Sequence, residues 1–329
     1  MRITLRFDMR QPDPRASRAS QYAAMLDMCA WADGLGLDEV YVSEHHAAED
    51  GYLPSPIVLG SAVAARTQRI GVHLSALVVT LHHPLRLAED LAILDIISNG
   101  RLAITAGMGY RPHEFEMFGV DIRKRLRIFL DTLETLRRAW TGEPFEFEGR
   151  TVRITPKPVQ PGGPLLIMGG STAASAERAA RMGLPYKPGF PPDYEIYKRE
   201  VVKLGRPEPA PLPNQGPNFL YVTDDPDRDW PVVGPHAIYQ SNSYVKWATE
   251  RGGGDTPYKP IADLGEARAN PTFQITTPGQ VVAYARTLEP HGELTLQPLF
   301  GGLDPTVAWK SLRLFEKEVL PRMREAGLR

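Results

Sequence analysis

Residues 82–121 read HHPLRLAEDLAILDIISNGRLAITAGMGYRPHEFEMFGVD. Pro84 stands where a helix accepts proline, in the first turn, because the N–H it lacks would have no intrahelical acceptor there. From Pro84 to Ile97 the apolar residues recur at helical spacing, and Asn99-Gly100 supplies residues suited to stopping the helix. Arg101–Ala106 follows at once as a short strand. A helix that leads directly into a buried strand is the repeating step of a parallel α/β fold.

Working outward, the same alternation fills most of the chain. Ile3–Met9 is strand, and Ala19–Leu35 repeats Tyr22, Met25, Leu26, Cys29 and Ala30 at helical spacing before Gly34 and Gly36 close it. Glu39–Ser43 is a short buried strand, Pro56–Arg66 a helix and Ile70–Thr80 a strand. Beyond the opening stretch come a helix at Asp121–Trp140, a strand at Leu165–Met168, a helix at Thr172–Met182 and a strand at Leu184–Tyr186. The second half predicts a helix at Asp193–Leu204, a strand at Phe219–Thr223 and a helix through Tyr239–Arg251. It closes with a helix at Pro278–Leu288, a strand at Glu293–Phe300 and a helix at Pro305–Ala326. Eight strand candidates, most followed by a helix, fit a closed (β/α)8 parallel barrel in one domain over 1–329. A doubly wound sheet is the rival, but it lacks the glycine-rich turn after the first strand. Phe145–Ile154 (FEFEGRTVRI) reads as a β-hairpin inserted at about 143–156. The proline-rich stretch 185–217 and the polar stretch 251–277 read as variable segments, the latter a long lid-like loop.

Composition narrows the function classes. The 329 residues carry 38 Lys+Arg against 39 Asp+Glu, which gives no global attraction to nucleic acid or anionic membrane. One cysteine, Cys29, excludes an intrachain disulfide and a cysteine cluster for metal. The start, MRITLRFDMR, has no apolar signal core, and no apolar run approaches the ~20 residues that span a bilayer. A cytoplasmic protein without metal, nucleic acid or membrane partners is the expectation.

In such a barrel the chemistry sits at the carboxyl ends of the strands. Ser43-Glu44-His45-His46 follows the second strand, with His45 a candidate acid/base or hydrogen-bond donor and Glu44 the carboxylate that fixes its tautomer. Neighbouring rings seldom reach one metal ion, and no His-X-His or His-Glu-X-X-His spacing occurs. Thr80-Leu81-His82-His83 follows the third strand. Gly107-Met108-Gly109 follows the fourth and would admit a flat ligand close to the backbone. Gly169-Gly170-Ser171-Thr172, with Ser175 one turn on, opens a helix and suits a phosphate, though an ordinary N-cap explains it equally well.

These motifs, with VYVSEHH at 40–46, LLIMGGSTAASAERAARMGLP at 165–185 and GGLDPTVAWKSLRLFEKEVLP at 301–321, resemble those of the luciferase-like flavin monooxygenase family, a superfamily that includes coenzyme F420-dependent enzymes. The resemblance runs over Arg2–Phe190 and Thr277–Pro321. It implies a TIM barrel, commonly a homodimer through the second and third helices, that uses reduced FMN with oxygen or the deazaflavin F420. It places His45 on the histidine that supports the oxygenated flavin. Ser171, Thr172 and Ser175 fall at the flavin phosphate, and Ser75 and Ala76 fall near a non-prolyl cis peptide under the ring. Gly107, Met108 and Gly109 fall beside the flavin, as do Gly169 and Gly170. Met108 stands where bacterial luciferase has a phosphate-binding arginine, and Gly107 where it has a reactive cysteine. Ala47–Glu49 and Tyr110 depart from the F420-dependent sugar-phosphate dehydrogenases. The reading is a monooxygenase acting on a small organic substrate with flavin supplied by a separate reductase. The alternatives are F420-dependent hydride transfer and a non-catalytic flavin-binding protein.

Overall fold

The computed structural model describes residues 1–250 and 259–329. Its strands are β1 (Arg2–Phe7), β2 (Glu39–Val42), β3 (Gly71–Val78), β4 (Leu102–Gly107), β5 (Phe145–Phe147), β6 (Arg150–Val152), β7 (Leu165–Gly170), β8 (Tyr186–Pro188), β9 (Asn214–Gln215), β10 (Phe219–Val222), β11 (Phe273–Thr276) and β12 (Gly292–Leu296). Its helices are α1 (Arg18–Leu35), α2 (Pro56–Arg66), α3 (Pro84–Ser98), α4 (Pro112–Met117), α5 (Arg125–Ala139), α6 (Ala173–Met182), α7 (Pro191–Lys203), α8 (Pro226–Glu250), α9 (Leu264–Ala269), α10 (Pro278–Thr287), α11 (Pro305–Leu314) and α12 (Leu320–Glu325). The chain divides into two compact units, 1–41 with 47–53 and 211–329, and 42–46 with 54–210.

The second of these units carries the stretch that opened the sequence reading. In it β3, β4, β7 and β8 pair in parallel in that order, with Ser75 opposite Thr105, Thr105 opposite Ile167, and Gly169 opposite Lys187. Helix α3 begins with Pro84 and ends at Asn99 in the left-handed region (φ 54°), whose N–H caps the carbonyls of Asp95 and Ile96. Its buried stripe, Leu87, Ala88, Leu91, Ala92 and Leu94, recurs every three to four residues, which turns one face inward. Arg101, at the entry to β4, donates to the carbonyls of Ala64, Ile70 and Ser98 and so ties α2, α3 and the start of β3 together. The β5–β6 hairpin turns through Glu148 and Gly149, both with positive φ, as a two-residue turn requires.

In the other unit β1 pairs in parallel with β12, β12 with β9, and β10 with β11. Helix α1 is capped by Ser17, whose side chain accepts the Ser20 N–H, and closed by Gly36 at φ 76°. Its Cys29 is fully buried, and burial raises its thiol well above the ordinary range, so it packs rather than reacts.

Three expectations shift. The stretch 251–277 is not one structureless loop: 251–258 lies outside the described residues, but α9 and β11 form within 259–277. Phe219–Thr223 is a strand as expected, but it pairs with that unexpected β11, because FQIT alternates side chains just as FLYV can. Helix α8 begins at Pro226, so 224–228, expected only to lead toward a helix running through Tyr239–Arg251, already holds its first turn, and it continues through Pro231 and Pro235. The strand expected at Leu184–Tyr186 is displaced to 186–188. Pro188 is its last residue, where a missing ladder donor is tolerated.

Candidate functional site

Beyond Val42 the chain leaves the strand and bends at His46, with Ala47 at φ 49°, and this turn brings the Glu44 and His46 side chains together. His46 Nε2 donates to Glu44 Oε1 at 2.9 Å, and His82 Nε2 donates to the same oxygen at 3.0 Å. The other oxygen, Oε2, accepts the Val78 N–H at 2.5 Å, and the Glu44 N–H donates to the Ala76 carbonyl at 3.2 Å. Glu44 is only 2% exposed. Burial pushes its carboxyl up, but the hydrogen bonds from His46 and His82, the charge of His82 and the Val78 N–H outweigh that and hold it at about 2.

His45 points elsewhere. Its Nδ1 lies 2.9 Å from Glu114 Oε1, an oxygen that also accepts the His46 N–H at 2.9 Å and Arg111 Nη1 at 3.3 Å. The carboxylate that orients His45 is thus Glu114 on α4 and not the expected Glu44, which holds His46 and His82. Burial raises the Glu114 carboxyl, yet the His45 hydrogen bond and charge, the His46 N–H and Arg111 together leave it below its ordinary value. A carboxylate at Nδ1 makes that nitrogen the protonated one, so His45 Nε2 presents a lone pair when the ring is neutral. Tyr110 stands edge-on to the His45 ring at 5.6 Å. Glu114 Oε2 is buried with no hydrogen-bond partner.

The Ser75–Ala76 peptide is cis, and it lies where β3 shifts register against β4. Lys187 Nζ donates to Ser75 Oγ at 3.1 Å. The glycines expected to face a cofactor have packing reasons of their own. A Cβ on Gly107 would stand 3.1 Å from the Ala76 Cβ, and one on Gly169 would stand 3.0 Å from Thr105 Cγ2 and 3.1 Å from the Ala106 carbonyl. Gly109 has φ 72°, and a Cβ there would collide with Phe115 and Val78 at 2.9 Å. Met108 brings no charge, and its carbonyl accepts the Thr80 hydroxyl at 3.0 Å.

At the head of α6, Thr172 and Ser175 form a reciprocal capping box. Ser175 is buried, donates to the Thr172 carbonyl at 2.6 Å and meets the Tyr186 hydroxyl at 2.9 Å, so it shapes the turn from within. Gly170 is bare because a Cβ would fall 2.3 Å from Ser175 Oγ. Ser171 and Thr172 are exposed. As the first two residues of the helix, Ala173 and Ala174 have N–H groups without intrahelical acceptors. The hydroxyl of exposed Ser171 beside free helix N–H groups makes a donor set that fits a phosphate. The first-expected trio therefore splits: Ser171 is available at the surface, while Thr172 and Ser175 hold each other in the cap and shape the turn.

Comparison with known proteins places the chain. A family model described as luciferase-like monooxygenase matches residues 3–204. The chain belongs to that family. Among curated family relatives, it is 29% identical over 175 residues to 4-hydroxyprotoasukamycin monooxygenase of Streptomyces nodosus subsp. asukaensis, covering 51% of this chain and 47% of that one. It is 26% identical over 190 residues to the oxygenase component of the flavin-dependent trigonelline monooxygenase of Acinetobacter baylyi, covering 56% and 52%. The chain thus matches about half the length of these curated relatives. Among solved structures, monooxygenase RslO1 from Streptomyces bottropensis superposes with a TM-score of 0.76 at 24% identity, covering 98% of this chain and 99% of that one. The oxygenating constituent of 3,6-diketocamphane monooxygenase from Pseudomonas putida, solved with FMN, gives 0.73 at 20% identity, covering 98% of each. An F420-dependent secondary alcohol dehydrogenase gives 0.69 at 15%, covering 100% and 99%. The fold of this luciferase-like protein is the α/β barrel of these enzymes.

Sequence reasoning missed Glu114, Arg111 and Lys187 in this luciferase-like chain. The three-residue spacing of Arg111 and Glu114 across a proline-opened helix was the one local signal for the first pair. A further polar centre was also missed. Arg10, just past β1 and fully buried, donates to Asp50 Oδ2 at 2.8 Å, lies 3.5 Å from Asp8 Oδ2, and sits over the rings of Tyr52, Tyr244 and Trp247 at 4.8, 4.9 and 4.3 Å. Among the described residues no group of three or more His, Cys, Asp or Glu side chains is arranged to hold a metal ion, and no helix is long and apolar enough to cross a membrane. A cleft of about 740 Å³ between α8 and α11 contains none of the expected site residues.

Proposed function

We propose that this chain is the oxygenase component of a two-component flavin monooxygenase that uses reduced FMN and oxygen on a small organic substrate. The observation that carries the reading is the His45–Glu114 pair standing in the same unit as the α6 donor set, at the ends of the strands. The named activities of the relatives support it.

Reduced flavin, when bound, supplies the two electrons with which oxygen gives one atom to the substrate and the other to water. Ser171 and the first N–H groups of α6 would hold the phosphate, on a turn that the Thr172–Ser175 cap fixes. Glu114 holds the His45 proton at Nδ1, so Nε2 is the atom that accepts or returns a proton. Arg111, donating to the His46 carbonyl at 3.0 Å and to Glu114, keeps the loop and the carboxylate in register. Glu44 fixes the strand-end backbone at Ala76 and Val78 and the rings of His46 and His82. Its role is positioning.

A homodimer through α2 and α3 belongs to the same proposal. Val58 on α2 and Ile93 and Ile97 on α3 are 72%, 44% and 44% exposed, an apolar group at odds with a solvated surface.

The test is anaerobic titration with reduced FMN and, separately, with reduced F420, followed by admission of air. Binding of reduced FMN with oxygen consumption is expected. Selective binding of F420 without oxygen uptake would replace the monooxygenase by a hydride-transfer enzyme. Binding of neither would overturn both readings.

A further inference from the structure

Lys187 is a charge placed by the fold inside the candidate site. It lies in β8, in register with Gly169 of β7, yet its ammonium reaches Ser75 on β3, two strands beyond β7. The bond to Ser75 fixes where the charge sits. The anion-fitting donor set begins one residue past Gly170, at the end of β7.

A ligand whose phosphate is held there, and which runs from β7 across β4 to β3, crosses two strand spacings of ~4.8 Å. About 10 Å is the reach of a flavin mononucleotide from phosphate to ring. Such a ligand would bring its ring toward Ser75, Ala76 and Gly107, where the Lys187 ammonium bonded to Ser75 would meet the ring rather than the phosphate.

The ring changes charge with its redox state. Oxidised flavin is neutral in the ring, whereas fully reduced flavin readily loses a ring proton near neutrality and becomes an anion. A cation fixed beside the ring therefore interacts differently with the two states, and only differential interaction shifts an equilibrium. We infer that Lys187, anchored by Ser75, makes this site select the anionic reduced flavin ring over the neutral oxidised ring. The inference rests on the flavin reading above and adds the residue that distinguishes incoming reduced cofactor from spent oxidised cofactor. For an enzyme fed by a separate reductase, that preference favours capture of the reduced form and release of the oxidised one.

The test measures dissociation constants of oxidised and anaerobically reduced FMN and riboflavin with the wild-type chain, Lys187→Met and Lys187→Arg. Lys187→Met should weaken both reduced ligands roughly tenfold, the scale of one charge-assisted hydrogen bond, and leave both oxidised ligands within about twofold. Lys187→Arg, which keeps the charge, should stay close to wild type and shows that loss in the methionine variant is not misfolding. Equal weakening of oxidised and reduced FMN with riboflavin unaffected would assign the lysine to the phosphate and overturn the inference. So would unchanged affinities in Lys187→Met. If the wild-type chain binds none of the flavins, the functional reading falls first and this inference with it, an outcome separable from a wild type that binds FMN without redox preference.

Discussion

Replacing Glu44 by Gln keeps the volume of the side chain and removes its charge. The Glu44 carboxyl stands at about 2 in the fold against 4.5 for an ordinary glutamate. Each tenfold change in proton affinity is about 1.4 kcal/mol, so the ionised group stabilises the folded chain by about 3 kcal/mol at neutral pH. Because the folded value is the lower one, this stability is fully present above pH 4.5. Below that the unfolded chain takes up the proton first, and the advantage disappears as pH falls toward 2. Glu44→Gln should therefore unfold about 3 kcal/mol more easily than wild type at pH 7, with the deficit shrinking steadily below pH 4.5. Denaturant unfolding at pH 7, 5.5, 4 and 3, followed by tryptophan fluorescence, reads the difference directly, and taking the difference cancels the other carboxylates. A deficit of the same size at pH 7 and pH 3 would show that Glu44 matters through packing rather than charge and would refute the reasoning.

Arg10→Met leaves Asp8 and Asp50 buried without their cation and should lower stability by about 3–5 kcal/mol, seen as an early thermal transition, and a loss under 1 kcal/mol would mean the pair is neutral to folding. His45→Ala should keep reduced-FMN binding while turnover falls by roughly 10²–10⁴-fold, and Glu114→Gln should lower turnover in the same direction by releasing the His45 tautomer. Unchanged turnover in His45→Ala would remove the imidazole from the mechanism. If the proposed homodimer through α2 and α3 forms, Val58→Asp with Ile97→Asp should convert it to a single chain by light scattering, and a single-chain mass for wild type, or an unaltered mass in the variant, would overturn that interface.

The legible parts of the fold were those where local chemistry and tertiary demand agree. Pro84 opening α3 and Asn99 closing it mark a helix whose ends need no partner to define them. By contrast β11 is four residues within a polar stretch, and only the facing β10 gives it a reason to be strand. Helix α8 runs through Pro231 and Pro235, which locally carry the usual signal of a break, so its full length is set by packing rather than by local chemistry. In the site, Glu44 and His45 were legible as residues, but their pairing was not. The turn after β2 puts Glu44 with His46, two positions on, and sends His45 to a different carboxylate. His45's true carboxylate is 69 positions away on α4, and no local spacing announces a partner at that separation. Lys187 escaped because its strand was expected to end one residue earlier.

The two buried networks show what distinguishes a site from a scaffold. Both place carboxylates against cations out of water, where an unpaired charge is costly. Around Arg10 the cation is a guanidinium, further held in its charged form by Tyr244, Asp8 and Asp50 against the effect of burial, so the cation of that network keeps its proton. Around Glu44 and Glu114 the donors include three imidazoles, the side chain suited to proton exchange, where the other network has a guanidinium. Two carboxylates held below their ordinary values stay ionised there and hold Nδ1 of His45 and Nε2 of His46 and His82 protonated. A structural role would be served as well by arginine. That the strand ends use histidine instead, in the unit that carries the α6 donor set, is the physical argument behind the proposal that the chemistry takes place at this end of β2, β3 and β4.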